Sequence, residues 1–234
     1  MNTTSFLAVV SEKTTDTVTL ISIIAVALAV LACAAIAVFR KGESNTKAIV
    51  YAGVCIAASF ALSFIKFEFP YGGSVTVMSF VPVLVYAYFF GPVRGLIAGF
   101  VYGILQFIQS PWILTPMSFI LDYLLAFSCI GLMGFASKLT KNTTANLLIG
   151  TAVTFFARLV MHVLAGIIYF KHGVVASGLP TSSAFLYSLC YNVIYISIDC
   201  ALCLVAFFLL EHKKAITRLG AAMKLPRREK TENQ

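Results

Sequence analysis

The sequence predicts an all-α integral membrane protein with seven transmembrane spans, and three observations predict it. The 234 residues are 60% hydrophobic and only 11% charged, whereas soluble domains carry about 25% charged residues. The apolar residues come in long runs separated by charged gaps, the pattern of spanning helices; a membrane barrel shows short alternating segments instead. The 17 lysines and arginines behind the net charge of +8 sit mostly between and after these runs. That placement marks membrane topology and speaks against a nucleic-acid-binding face.

Residues 1–16 are polar and threonine-rich, and Val18–Phe39 follows as an apolar run without a charge. It is long enough to cross a hydrocarbon layer of roughly 30 Å as a helix. A secretory signal carries its basic residues before the apolar run, but Arg40 and Lys41 follow this one. The segment therefore reads as a retained helix, with a cleaved signal as the alternative. A second span runs from Lys47 to Ile65, and a third from Ser74 to Phe90 with Pro82 inside it. A short fourth covers Arg94–Ile108, a fifth Ile113–Ser137, a sixth Ala145–Phe170 and a seventh Ala184–Leu210.

The basic residues orient these spans. Arg40, Lys41 and Lys47, then Arg94, then Lys138 and Lys141, and finally the run from Lys213 to Lys230 occupy alternate ends. All fall on one side, which the positive-inside rule makes cytoplasmic. The opposite side receives only Lys13, Lys66 and Lys171, so the N-terminus is expected outside and the C-terminus in the cytoplasm.

Gly91, Gly95, Gly99 and Gly103 recur every four residues along the fourth span, a spacing that lets another backbone approach closely. Packing inside the bundle accounts for them. Ala48 with Ala52, and Ala57 with Ala61, offer a similar strip on the second span, which suits either internal packing or another subunit. The six cysteines all fall in apolar segments, where free thiols behave as small hydrophobes. Cys200 and Cys203 form a C-x-x-C, but inside an apolar helix and without a redox-fold context.

The most informative stretch is ARLVMHVLAGIIYF, Ala157–Phe170, which carries Arg158, His162, Gly166 and Phe170 four residues apart on one helix stripe. Ionisable groups inside a membrane are expensive and face a cavity or a partner. The orientation above places Asp122, His162 and Asn192 on three different spans, in one layer about 6–7 Å outside the midplane by helix rise. Tyr123, Tyr187, Tyr191, Tyr169 and Phe170 lie at or above that level. An acid, an imidazole and an amide among aromatic rings suit a flat cationic or heteroaromatic ligand, with Asp122 as counter-charge. Arg158 and Asp199 fall nearer the midplane, where Arg158 either meets ligand or pairs with Asp199. Between spans two and three, KFEFPYGGS (Lys66–Ser74) is aromatic and able to bend, as a cover over the polar layer or as an ordinary connection.

These segments resemble a known family. The stretch GGSVTVMSFVPVLVYAYFFGPVRGLIAGFVYGILQF, then LDYLLAF, RLVMHVLAGIIYF and YSLCYN, is similar to the thiamine-specific S components of energy-coupling factor (ECF) transporters, the ThiT family, over Ala48 to Leu210. The resemblance implies a six-helix S-component bundle, placed here over residues 46–212; the extra transmembrane helix in residues 1–45 is not part of that pattern, and residues 213–234 read as a basic cytoplasmic tail. It implies capture of thiamine from outside a bacterial cell membrane. The partners would be an ECF transmembrane coupling subunit and two ATP-binding-cassette ATPases that use the ATP. No cofactor of the chain's own is implied, and the sequence has no Walker A phosphate loop.

Carried over by position, the ligand-binding residues are Asp122, Tyr123, Arg158, His162, Gly166, Phe170, Tyr187 and Asn192, with Phe67, Phe69 or Tyr71 covering the site. Ala57 and Ala61 match the strip that packs on the coupling subunit. Asp122 stands where the family often has Glu, and Phe170 where it often has Trp; a tryptophan expected in the first outer loop is absent. The alternatives are an S component for another vitamin or precursor, and an intramembrane enzyme built on His162, Asp122 or Asp199. No H-E-x-x-H, G-x-S-x-G or paired-glutamate motif supports the enzyme.

Overall fold

A computed structural model of the protein describes residues 46–68, 73–111, 117, 119–170 and 184–222. The apolar run Val18–Phe39, together with Phe69, Tyr71 and the connection after Phe170, lies outside these residues. Helix α1 (Thr46–Leu62) leads into a hairpin of β1 (Lys66–Glu68) and β2 (Ser74–Thr76). Helices α2 (Phe80–Phe90) and α3 (Pro92–Gln109) follow. The helical span α4 (Phe119–Ala136) opens with a π-helical turn over Phe119–Leu125 and tightens to a 3₁₀ turn over Cys129–Leu132. Helices α5 (Thr143–Phe170), α6 (Ala184–His212) and a short α7 (Ala215–Ala222) complete the described chain.

Among the described residues, three helices are long and apolar enough to cross a membrane: Phe119–Ala136, Thr143–Ile168 and Phe185–His212. The expected span Ser74–Phe90 is not one continuous helix. Its start forms β2, paired antiparallel with β1 so that Lys66 faces Thr76 and Glu68 faces Ser74. The run Val75-Thr76-Val77 is β-branched and favours extended backbone. Met78 then takes φ 55°, a left-handed conformation that a right-handed helix does not accommodate. The remaining α2 has 11 residues, about 16 Å of helix and roughly half of a hydrocarbon layer.

Helix α2 is core rather than wall. Eight of its residues are buried, with Val83, Leu84 and Ala87 fully so, as expected of a helix apolar on all sides. Gly91 at φ 90° ends it, and Pro92 starts α3, the usual division between glycine at a helix end and proline at a helix start. Along α3 the glycine stripe is spent on internal packing. A Cβ on Gly95 would meet the Ala87 side chain, and one on Gly99 or Gly103 would fall on the backbone carbonyl of Phe127 or Tyr123. The stripe thus lets α4, including its π turn, lie directly against α3.

Helices α5 and α6 pack along their length as the longest pair. Asn142 caps α5, its Oδ1 accepting from the Thr144 N–H at 2.9 Å. Where the sequence suggested only a basic tail, α7 folds back: the Thr217 N–H donates to Glu211 Oε2 at 3.2 Å, Ile216 is buried, and Gly220 lies against the Phe89 ring. At the other end Gln106 Nε2 donates to Ser63 Oγ at 2.8 Å, so the hairpin emerges beside the end of α3. The five described cysteines carry free thiols.

Candidate functional site

The polar stripe on α5 faces inward. Arg158 is 7% exposed and His162 8%, and Thr154 one turn earlier is 2%. Asp122 sits in the π-helical turn of α4. A π turn holds an extra residue and shifts side chains off the α-helical spacing, and such turns are frequent at functional sites. Here the turn brings Asp122 Oδ1 to 2.7 Å from His162 Nδ1. The carboxylate keeps a quarter of its surface exposed while the imidazole is nearly enclosed.

Asn192 on α6 completes the layer. Its Nδ2 donates to the Ser188 carbonyl at 2.8 Å and approaches the His162 carbonyl at 3.4 Å, and its Oδ1 accepts from the Tyr195 hydroxyl at 2.7 Å. Ser188 Oγ in turn donates to the Val163 carbonyl at 3.1 Å, pinning α6 to α5 at this level. Three helices therefore bring an acid, an imidazole and an amide close together, Asp122 on the His162 ring and Asn192 on the His162 carbonyl. His162 Nε2 is buried with no hydrogen-bond partner among the described residues. Buried polar atoms are normally paired, so this ring nitrogen beside a partly open carboxylate has capacity for a ligand.

Aromatic rings line the same face of α6. Tyr187 and Tyr191 stack with centroids 6.4 Å apart, Tyr195 follows at 5.4 Å from Tyr191, and the Tyr195 ring lies 6.1 Å from His162. The sequence reading singled out Tyr187 and Tyr191 but missed Tyr195, although the four-residue spacing continues through it. Tyr123, next to Asp122, sits in a different setting: its hydroxyl donates to the Ser110 carbonyl at 2.8 Å and its ring packs against Phe107 and Phe119. Gly166 lies one turn beyond His162 on the same helix, and Phe170 is the last residue of α5.

Beneath this layer the arginine is enclosed. Its Nη1 lies 3.5 Å from Asp199 Oδ2, and its guanidinium carbon sits 4.2 Å from the Phe80 ring centroid and 5.0 Å from that of Phe127. Of the two roles open to Arg158 in the sequence, the ion pair with Asp199 is the one this geometry contains. The aromatic enclosure had no sequence signal, because Phe80 and Phe127 lie on other elements. Elsewhere, Phe67 on β1 is exposed, and Ala57 and Ala61 are exposed on α1.

The model of the family described as thiamine transporter protein (Thia_YuaJ) matches residues 49–218. The chain belongs to that family. Every candidate residue above falls inside the matched region, whereas Val18–Phe39 precedes it. The chain is 29% identical over 175 residues to the thiamine transporter ThiT of Bacillus subtilis (strain 168), covering 69% of this chain and 88% of that protein. It is 30% identical over 146 residues to the thiamine transporter ThiT of Lacticaseibacillus paracasei, covering 54% and 71%. Its fold matches the solved structure of ThiT from Listeria monocytogenes at a TM-score of 0.52 and 22% identity, over 76% of this chain and 94% of that one. The thiamine transporter protein family is one of transporters rather than enzymes, and the three membrane-long helices make this member a membrane protein.

Proposed function

We propose that the chain is the thiamine-capture subunit, the S component, of an ECF importer, holding thiamine in the outer half of its bundle. The observation that carries this reading is the joined group Asp122–His162–Asn192 on α4, α5 and α6, in a chain of the thiamine transporter protein family. Thiamine presents a cationic thiazolium, an aminopyrimidine rich in donors and acceptors, and a hydroxyl. Asp122 supplies the counter-charge or accepts from the exocyclic amine. His162 offers Nε2, and Asn192 both donates and accepts. Tyr187 presents a ring face to the heterocycles, Gly166 leaves room beside it, and Phe170 is the residue that the family pattern assigns to stacking on them. Tyr123 borders the site from α4, Arg158 closes its floor, and one of Phe67, Phe69 or Tyr71 serves as its cover.

The rest of the assembly follows from that reading. Residues 46–212 form the six-helix binding bundle and residues 1–45 add a seventh span, with the N-terminus outside and residues 213–234 in the cytoplasm of a bacterial cell. The exposed strip with Ala57 and Ala61 docks the coupling subunit, and two ATP-binding-cassette ATPases supply the energy. The chain needs no cofactor of its own. Calorimetric titration of the purified protein with thiamine tests the proposal, with quenching of the sole Trp112 as a second readout. Saturable submicromolar binding is expected. No binding to thiamine, with binding to a different vitamin, would replace thiamine by that ligand.

A further inference from the structure

We infer that Asp199 is a positioning residue that fixes the β1–β2 hairpin to the floor of the candidate site. Its carboxylate is 2% exposed, and its two oxygens serve different elements. Oδ1 accepts from the Thr76 N–H on β2 at 3.0 Å, with Thr76 Oγ1 at 3.5 Å, while Oδ2 faces Arg158 Nη1 on α5 at 3.5 Å. One side chain on α6 therefore joins β2 to α5. The Thr76 N–H is not used by the strand ladder, so its bond to Asp199 is an attachment of the hairpin rather than part of it.

A second attachment lies one turn away on the same helix. Gly73, at φ 72°, packs on the Tyr195 ring so closely that any Cβ there would collide with it. Tyr195 is the residue whose hydroxyl holds Asn192. A two-stranded hairpin is not stable by itself in water. The hairpin is thus held at two ends: Ser63, just before β1, is bound to Gln106 on α3, and β2 is held by Tyr195 and Asp199. Asp199 reaches the polar layer only through its neighbours, Arg158 below His162 and the hairpin beside Tyr195.

The functional half of this inference rests on the proposed thiamine site; the structural half does not. The test combines hydrogen exchange of the peptides covering residues 64–80 with the rate of thiamine dissociation, on the full chain in detergent. Asp199→Ala is expected to speed exchange in the hairpin while the middles of α2 and α5 stay protected. It should speed thiamine dissociation at least about tenfold, the scale of a lost charge-assisted hydrogen bond. Asp199→Asn keeps an oxygen for the Thr76 N–H and should recover most of the exchange protection. Gly73→Ala, which leaves the ion pair intact, should repeat both effects of Asp199→Ala and serves if that variant does not fold. Hairpin exchange at the wild-type rate in a folded Asp199→Ala or Gly73→Ala protein would overturn the inference. So would faster exchange spread equally over all helices. Loosened hairpin with unchanged thiamine dissociation would overturn the positioning role, and a wild type that binds no thiamine would remove the proposed function while hairpin exchange still decides the anchor.

Discussion

Asp122→Asn tests the site most directly. Asparagine keeps the Oδ1 acceptor that lies 2.7 Å from His162 Nδ1, so the α4–α5 contact survives as a neutral hydrogen bond. What is lost is the charge. A charge-assisted bond exceeds a neutral one by about 1 kcal/mol. A carboxylate roughly 5 Å from a thiazolium contributes up to about 3 kcal/mol at an effective dielectric of about 20. Because the Asp122 side chain is 25% exposed, water screens part of that. The net expectation is about 1–3 kcal/mol weaker binding, a loss of about 5–150-fold in affinity. Calorimetry on wild type and mutant, with thiamine and with an analogue whose five-membered ring is uncharged, reads both terms. The mutant should lose much more affinity for thiamine than for the neutral analogue. A folded mutant that binds thiamine within about twofold of wild type would refute the site. Equal losses for both ligands would refute the counter-charge.

Three further outcomes follow from the same geometry. Asn192→Ala leaves the buried Tyr195 hydroxyl without its 2.7 Å acceptor. It should lower both thermal stability and thiamine affinity by about 1–3 kcal/mol each, and a mutant matching wild type in melting and titration would contradict this. Ala57→Trp enlarges an exposed position of α1; thiamine binding should persist while uptake into cells stops, and loss of binding would sink the assignment of that face. Gly103→Ala drives a Cβ onto the Tyr123 carbonyl in the π turn. A lower melting midpoint, from overpacking that costs about 1–3 kcal/mol, is expected; an unchanged midpoint would show that α3 and α4 are not so closely apposed.

Much of the helix pattern was legible because membrane helices obey a coarse rule, long apolar runs between charged gaps. The boundaries of α5 and α6 came within a few residues of the expected spans. The inward stripe on α5 was legible for a related reason: in an otherwise apolar helix, Arg158 and His162 have few faces to choose from. Segment 74–90 misled because hydropathy counts Val75, Val77 and Met78 as spanning residues and carries no signal for backbone conformation. The π turn at Asp122 was equally invisible, since nothing in FILDYLL distinguishes a wider turn from an ordinary one. Helix α7 was missed because a short stretch among basic residues reads as tail, and its docking depends on Phe89, more than a hundred positions earlier.

The two intramembrane aspartates, each a lone acid in an apolar helix, differed in the sequence only by expected depth, and the structure gives each its surroundings. Asp199 is fully enclosed and divided between a backbone N–H and a guanidinium held by aromatic rings, so its charge is answered within the protein. Asp122 has the 2.7 Å contact to His162 and retains open surface. A buried carboxylate with a basic partner and a backbone donor gains little from a further cation, whereas one that is partly open and hydrogen-bonded to an imidazole can still bind one. Burial and partners, rather than residue type, thus place Asp199 in the frame and leave Asp122 open for the ligand role proposed above. The two sites make different demands: neutralising Asp122 should weaken binding without loosening the hairpin, whereas truncating Asp199 to alanine should loosen the hairpin and speed thiamine release through it.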